Sequence, residues 1–150
     1  MIIKPISSKE TLSLRQLVLR PGKSVDECVF EGDNEPENFH LGAFEGKVLA
    51  GIVSLMNRKN TAFTEKKQFQ LRGMAVLPEF RNRKIAVELL KAAEEELHAQ
   101  KAEIIWCNAR KIAIGFYQKN GFERFGGLFE IPQIGPHCLM VKKLGNFRFL

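Results

Sequence analysis

RGMAVLPEFRNRKIAVELL, residues 72–90, joins an apolar segment to an amphipathic helix, and three cations stand at the junction. Residues 69–77 are mostly apolar, which predicts a strand covered on both faces. Further on, apolar residues recur at helical spacing while charged residues take the opposite face, which predicts a helix. Asn82 is the predicted N-cap, so that Arg83 and Lys84 would fall in the first helical turn. That end of a helix disfavours cations, because its unpaired N–H groups carry a partial positive charge.

These cations predict a bound anion. Arg81, Arg83 and Lys84 would each cost about 0.3–1 kcal/mol beside a helix start if water were their only neighbour. A phosphate group reverses that sign, because it binds the N–H groups of a helix start and accepts charge-assisted hydrogen bonds from Arg and Lys. The alternative is that the three side chains simply extend into solvent.

The composition is that of an ordinary folded protein, with 150 residues, 45% hydrophobic, 27% charged and a net charge of +6. We expect one domain over residues 1–150, since a chain of this length buries a sizeable core. The basic balance suits an anionic ligand or a solvated basic surface. No apolar run or signal-peptide pattern suggests a membrane partner, so we expect a cytoplasmic location. Cys28, Cys107 and Cys138 lack paired spacing, which predicts reduced thiols and no metal site.

The whole pattern predicts a mixed α/β (α+β) fold. Two apolar runs around Glu45-Gly46-Lys47 indicate a hairpin. Strand, helix and strand over residues 69–109 require parallel strands and a right-handed crossover. The expected sheet is therefore central, mixed and largely antiparallel, with one parallel crossover and flanking helices. The other predicted elements are strands at 2–6, 39–44, 48–56, 122–131 and 137–144, a helix after Ser8 as its cap, and a helix over 110–120 that ends at Asn120-Gly121.

Residues 72–90 resemble the acetyl-coenzyme A motif of the GNAT superfamily of N-acetyltransferases, where a strand leads into a loop of form Q/R-x-x-G-x-G/A and then a helix. In that family the loop binds the coenzyme A pyrophosphate, mostly through backbone N–H groups. Arg81 takes the first position and Ala86 the Gly/Ala position, while Lys84 replaces a glycine that lets the backbone approach a ligand closely. Lysine there either contributes only its charge or weakens coenzyme binding. The cofactor-binding residues implied here are Met74, Ala75, Val76, Arg81, Asn82, Arg83, Lys84, Ile85 and Ala86.

WCNARKIAIGFYQKNGF, residues 106–122, resembles the second half of the same cofactor site, a strand ending in Asn followed by A-x-x-F-Y-x-x-x-G-F. The family's sheet opens between these two strands, and pantetheine inserts like a further strand beside the backbone of Met74 and Val76. An amide near Met74 or Ala75 would also stabilise the oxyanion. The resemblance covers essentially the whole chain, and the tail at 129–144 is similar to a subgroup of small bacterial members. The cofactor-binding residues implied in this part are Asn108, Ala113, Phe116 and Tyr117.

The reaction that the resemblance implies is direct transfer of an acetyl group from acetyl-CoA to a primary amine of a small molecule or peptide. Tyr117 stands where the family often has its general acid, near the coenzyme sulfur, although a packing role is the alternative. An amine in water is mostly protonated at neutral pH, so a base must remove a proton before attack. His137 is the first candidate and His40 the second, because imidazole titrates in the useful range. Glu65 or Glu79, acting through water, stay open.

Other readings also follow from particular residues. Arg72 lies in an apolar strand and needs a partner for its charge, either a structural carboxylate or an acidic group on the acceptor. The lysine at position 84 leaves open a non-catalytic acyl-CoA-binding or regulatory domain. The net charge alone would suit a nucleic-acid-binding module, but no RNA- or DNA-binding motif is present, so we expect no nucleic-acid partner. Homodimers are common in the family, although no apolar stripe identifies an interface here.

Overall fold

The computed structural model describes residues 1–145 of the chain. Its strands form one seven-stranded sheet in the order β1-β2-β3-β4-β5-β7-β6. The β4–β5 pair is parallel. The β1–β2, β2–β3, β5–β7 and β6–β7 pairs are antiparallel. The mixed, largely antiparallel sheet with one parallel crossover is thus confirmed. The elements are β1 Ile2–Ile6, α1 Ser8–Leu14, β2 Phe39–Glu45, β3 Val48–Asn57, β4 Gln68–Val76, α2 Ile85–Ala99, β5 Ile104–Arg110, α3 Ile114–Lys119, β6 Glu123–Ile131 and β7 Gly135–Lys143.

The chain divides into two compact units, which are described separately. The first consists of Met1–Asn57 and Leu71–Glu96, and the second of Arg58–Gln70 and the residues from Leu97 onward. No helix in the described part of the chain is both long and apolar enough to cross a membrane.

In the first unit, helix α2 packs directly on strand β3. A Cβ atom on Gly51 would lie 2.8 Å from Ile85 Cγ2 and 3.1 Å from Leu89 Cδ1, so glycine is what permits this close approach. Ile85 and Leu89 are buried, as the helical spacing of the apolar residues predicts. The beginning of α2 is therefore fixed against the sheet, and with it the loop that carries the cations.

The N-terminal helix begins one residue earlier than expected from its cap. Ser7, not Ser8, is the N-cap, and its hydroxyl accepts from the Glu10 N–H while the Glu10 carboxylate accepts from the Ser7 N–H. This capping box needs the acidic residue three positions after the cap, which only Ser7 satisfies. After α1 the chain continues as a π-helical turn over Arg15–Leu19.

In the second unit, the predicted end of α3 is confirmed, because Gly121 follows the helix with a left-handed φ of +92°. Its predicted beginning is wrong. Residues Lys111–Ala113 form a separate 3-10 turn, and α3 starts at Ile114. Strand β5 pairs with β7 along its whole length, from Ile104 with Lys143 to Arg110 with His137.

Candidate active site

The loop before α2 differs from its prediction at the helix start. Asn82 has a φ of +67° and Lys84 a φ of +62°, so Asn82 cannot take the extended conformation of an N-cap. Helix α2 begins at Ile85, and the Lys84 carbonyl accepts the first helical hydrogen bond from the Glu88 N–H at 3.0 Å. Arg83 and Lys84 therefore precede the helix instead of occupying its first turn.

The backbone of this loop presents a set of unused donors. Within the described chain, the N–H groups of residues 82–87 donate to no other group. Left-handed residues that interrupt a turn make successive N–H groups converge on one side, which creates an anion-binding concavity. The side chains of Arg81, Arg83 and Lys84 are all exposed beside these donors. Arg83 also places its guanidinium carbon 5.2 Å from the centre of the Phe80 ring. Donors and cations together suit a diphosphate.

Lys84 holds the backbone conformation that glycine favours. A left-handed φ costs an L-residue roughly 1–2 kcal/mol, because its Cβ crowds the following carbonyl oxygen. Lys84 nevertheless has a φ of +62°, and its side chain is exposed. The loop thus keeps its left-handed path with a cation in place of the motif glycine.

Strand β4 contains a left-handed residue immediately before Met74–Val76. Gly73 has a φ of +63°, and a Cβ there would lie 2.9 Å from Cε2 of Phe30. Ala75 is buried, whereas Met74 and Val76 are half-buried. The Phe30 ring has the guanidinium carbons of Arg15 and Arg72 at 3.7 and 4.2 Å from its centre. Arg72 therefore packs its charge on an aromatic face within this unit.

The first unit contains a buried polar network that the sequence pattern does not predict. Arg15 is fully buried, and its Nη1 and Nη2 donate to the two carboxylate oxygens of Asp33 at 2.7 and 2.9 Å. Nη2 also donates to Ser54 Oγ at 2.9 Å. Although burial acts to raise the pKa of Asp33, the hydrogen bonds from Arg15 and from the Phe30 N–H lower it overall. No motif links these residues, which lie far apart in sequence.

His40 belongs to the same network, which argues against its role as the base. Its Nε2 lies 2.9 Å from the Asp33 carbonyl and its Nδ1 2.6 Å from Ser54 Oγ. Since a carbonyl oxygen only accepts, Nε2 carries the proton and Nδ1 accepts from the Ser54 hydroxyl. Both ring nitrogens are occupied, so this histidine serves the structure.

Tyr117, the one tyrosine in the sequence, is buried in the second unit. Its ring packs edge-on against Phe116 and Phe122, each with centroids 5.2 Å away. Burial, with a smaller contribution from Cys107, raises its pKa, so the phenol stays protonated at neutral pH. Its hydroxyl has no hydrogen-bond partner among the described residues. A protonated donor without a protein acceptor suits a general acid.

The second unit holds four more of the predicted site residues, which are Asn108, Ala113, Phe116 and His137. Asn108 is exposed between buried neighbours of β5, and Ala113 and Phe116 are half-buried. His137 pairs with Arg110 across β5 and β7. Because paired residues share a sheet face and successive residues alternate, His137 lies on the face of Asn108, opposite to that of Cys107.

The His137 ring is held in one orientation. It is buried, and its Nδ1 lies 2.8 Å from the Gly135 carbonyl, which fixes the proton on Nδ1 and leaves the Nε2 lone pair for a proton acceptor role. The cysteines offer no such chemistry. Cys28, Cys107 and Cys138 are free and buried, and burial raises the pKa of the Cys107 thiol. In the described part of the chain, no group of three or more His, Cys, Asp and Glu residues is arranged to hold a metal ion.

Comparisons with known proteins agree with this fold. Residues 10–122 match the model of the acetyltransferase (GNAT) family. The chain is 37% identical over 146 residues to the uncharacterized N-acetyltransferase YitI of Bacillus subtilis (strain 168), covering 97% of this chain and 98% of that protein. Among solved structures, an aminoglycoside 6'-N-acetyltransferase complexed with coenzyme A is 17% identical with a TM-score of 0.76, covering 97% and 98% of the two chains. Escherichia coli ElaA is 18% identical with a TM-score of 0.75, covering 94% and 98%.

Proposed function

Because this chain belongs to the acetyltransferase (GNAT) family, we propose that residues 81–86 bind the pyrophosphate of acetyl-CoA and that Tyr117 protonates the departing thiolate. The protein is an acetyl-CoA-dependent N-acetyltransferase, which transfers an acetyl group to an amine. The family model runs through residues of both compact units, which supports treating the chain as one catalytic domain.

One observation carries the cofactor assignment: the unused N–H groups of residues 82–87, with exposed cations beside them. Backbone donors supply direction and the cations supply charge, and a diphosphate uses both. The left-handed Gly73 just before Met74, Ala75 and Val76 supports these residues as the pantetheine edge, with one of their amides facing the oxyanion. Asn108, exposed on β5, would bond to the pantetheine arm, and Ala113 and Phe116 would contact the coenzyme around Tyr117.

The chemistry then requires three proton transfers, two from the acceptor nitrogen and one to the sulfur. His137 Nε2, directly or through water, takes a proton from the acceptor ammonium, and the free amine attacks the thioester carbonyl. The carbon–nitrogen bond forms, the carbon–sulfur bond breaks, and the Tyr117 hydroxyl donates its proton to the sulfur. The nitrogen loses its second proton as the amide forms, and that proton returns through water to the Tyr117 phenolate, while His137 releases the first proton to solvent. Because the Tyr117 pKa is raised, the phenol is fully protonated before each turnover. A non-catalytic coenzyme-binding domain would need only the loop at residues 81–86, and the Tyr117 hydroxyl would then have no chemical function.

The cofactor loop is tested by reversing its charge. We expect Arg81→Glu with Arg83→Glu to weaken acetyl-CoA binding roughly 30- to 100-fold, because each loses a charge-assisted hydrogen bond worth about 1.5–3 kcal/mol, part of which water restores. Isothermal titration measures the affinity. Lys47→Glu with Lys66→Glu is the matched control, since it makes the same change of net charge at two exposed lysines outside the loop. Equal affinity for both double variants would remove the loop from the cofactor site.

Turnover and the base are tested together by thiol release. The panel consists of polyamines, aminoglycosides, amino acids and peptides, assayed with the wild type and with His137→Ala. We expect release with at least one primary amine, and a loss of roughly 100-fold in His137→Ala, the lower end of the range for a general base. Bound acetyl-CoA without thiol release for any amine would favour the non-catalytic function.

Three further assignments concern the acceptor, the cellular location and the oligomeric state. We propose that the acceptor is a small molecule or peptide with a primary amine, since the family acts on amines. Three free, buried thiols support a cytoplasmic location. A homodimer stays a prediction, which sedimentation equilibrium of the purified chain would decide.

A further inference from the structure

One buried side chain in the second unit has a polar atom without a partner. Gln70 on strand β4 is 94% buried, since only 6% of its surface is exposed. Its Oε1 atom is shielded from solvent and accepts no hydrogen bond from any described residue. A buried amide oxygen in that state destabilises the fold, because it has lost its hydrogen bonds to water without replacement. Such an atom therefore calls for a role other than stability.

Gln68, two residues earlier on the same strand, is a glutamine whose side-chain amide is fully hydrogen-bonded within the protein. Its Oε1 accepts from the Asn60 N–H at 2.8 Å. Its Nε2 donates to the carbonyls of Phe63 and Glu65 at 3.2 and 2.8 Å. Gln68 thus fixes the loop that precedes β4. The two glutamines share residue type, strand, sheet face and burial, but the protein satisfies the amide of Gln68 and leaves Oε1 of Gln70 without a partner.

Gln70 also stands at a particular place in the sheet. The parallel ladder between β4 and β5 has the pairs Gln68–Ile104, Phe69–Ile105 and Gln70–Trp106, and Gln70 is the last. Its side chain shares a sheet face with Trp106 and, two residues along β5, with the exposed Asn108. Gln70 is thus the β4 residue at which the paired part of the β4–β5 ladder ends.

We propose that Gln70 Oε1 accepts a hydrogen bond from the N–H of the acceptor amine, which makes Gln70 an acceptor-binding residue. This inference rests on the proposed function. A carbonyl oxygen needs a donor, and the acetyl thioester has none, whereas an amine or ammonium always carries one. The amide donors of pantetheine are assigned to Met74–Val76, which begin four residues further along β4. The reacting amine is therefore the donor that suits this position.

The experiment compares Gln70→Leu with Gln68→Leu. For the amine of the thiol-release panel that gives the fastest turnover, Gln70→Leu should raise KM about tenfold, the loss expected for one hydrogen bond in a site built for it. The acetyl-CoA Kd should be unchanged. Because the variant removes an unsatisfied polar atom, its Tm should equal or exceed that of the wild type. Gln68→Leu should lower Tm by several degrees, because it leaves three backbone groups of the loop without partners.

Different outcomes overturn the proposal in different ways. An unchanged KM means that the amide does not contact the acceptor, and a weakened acetyl-CoA Kd means that it contacts the coenzyme instead. A fall in Tm for Gln70→Leu as large as that for Gln68→Leu assigns Gln70 a structural role. This comparison of melting temperatures can be made whether or not the enzyme turns over any amine. Failure of the wild type to release thiol is separate, since it rejects the proposed catalytic function itself.

Discussion

Replacing Tyr117 with phenylalanine is expected to lower kcat by about 100-fold or more, the range for loss of a general acid. The hydroxyl alone is removed, and the ring contacts with Phe116 and Phe122 at 5.2 Å remain. The acetyl-CoA Kd should therefore stay within about twofold, because a proton transferred only in the transition state contributes nothing to ground-state binding. Steady-state kinetics with thiol release, together with isothermal titration, separates the two quantities.

A matched variant keeps the hydroxyl and disturbs its packing. Phe122→Leu removes one of the rings against Tyr117 and should lower stability, because Phe122 is buried. Its kcat per folded molecule should nevertheless stay within about threefold of the wild type, because the acid is still present. If Tyr117→Phe and Phe122→Leu lose equal activity, the ring, and not the hydroxyl, is what the reaction needs.

The pH dependence of kcat in the wild type is a second test of Tyr117 as the general acid. Burial raises the Tyr117 pKa above its ordinary value of 10.0, so the acid remains protonated throughout the usual assay range. Tyr117 should therefore cause no alkaline fall in kcat below pH 10. A fall below that pH which disappears in Tyr117→Phe would contradict a raised pKa.

The regular elements could be predicted because their patterns are long and local. Strand β4 was expected at 69–77 and occupies Gln68–Val76, and β5 was expected at 103–109 and occupies Ile104–Arg110. The resemblance also predicts that residues 81–86 form the cofactor loop. The conformation of that loop could not be read from sequence, because Asn82 and Lys84 adopt left-handed backbones that residue type only weakly favours.

Side-chain networks were beyond the sequence for a different reason. The members of the buried polar network come together only once β2, β3 and the preceding helix are assembled. Their spacing in the sequence therefore does not predict the network of Arg15, Asp33, His40 and Ser54. The two glutamines of β4 make the same point within one strand. Gln68 is satisfied by a loop and Gln70 is not, although the sequence around them gives no sign of the difference.

Replacing Asp33 with asparagine is expected to lower the free energy of unfolding by about 3–5 kcal/mol, as for a buried ion pair that loses one partner. Arg15 is fully buried and makes two hydrogen bonds to the Asp33 carboxylate. Asparagine is close in shape but uncharged, so the guanidinium would remain buried without a counter-charge. Urea unfolding at pH 7 measures the change.

The control is an exposed ion pair on helix α2. Glu88 and Lys91 lie 3.6 Å apart with side chains 40% and 65% exposed. Glu88→Gln makes the same carboxylate-to-amide change and should cost no more than about 0.5 kcal/mol, because water screens the pair. Removing both buried charges, as in Arg15→Met with Asp33→Asn, should restore part of the stability. A double variant as unstable as the sum of its singles would mean that the two residues do not interact.

The same network predicts how stability depends on pH. Since the folded-state pKa of Asp33 lies below its ordinary value of 3.8, the pair contributes fully above that pH and loses its contribution as pH falls through the folded pKa. Wild-type stability should therefore fall more steeply below about pH 4 than that of Asp33→Asn. Glu10 and Glu27 also have lowered pKa values, through hydrogen bonds from Ser7 and Ser24, but both variants keep them. Their difference thus isolates Asp33, and parallel pH profiles would show that its carboxylate is not held by Arg15 in solution.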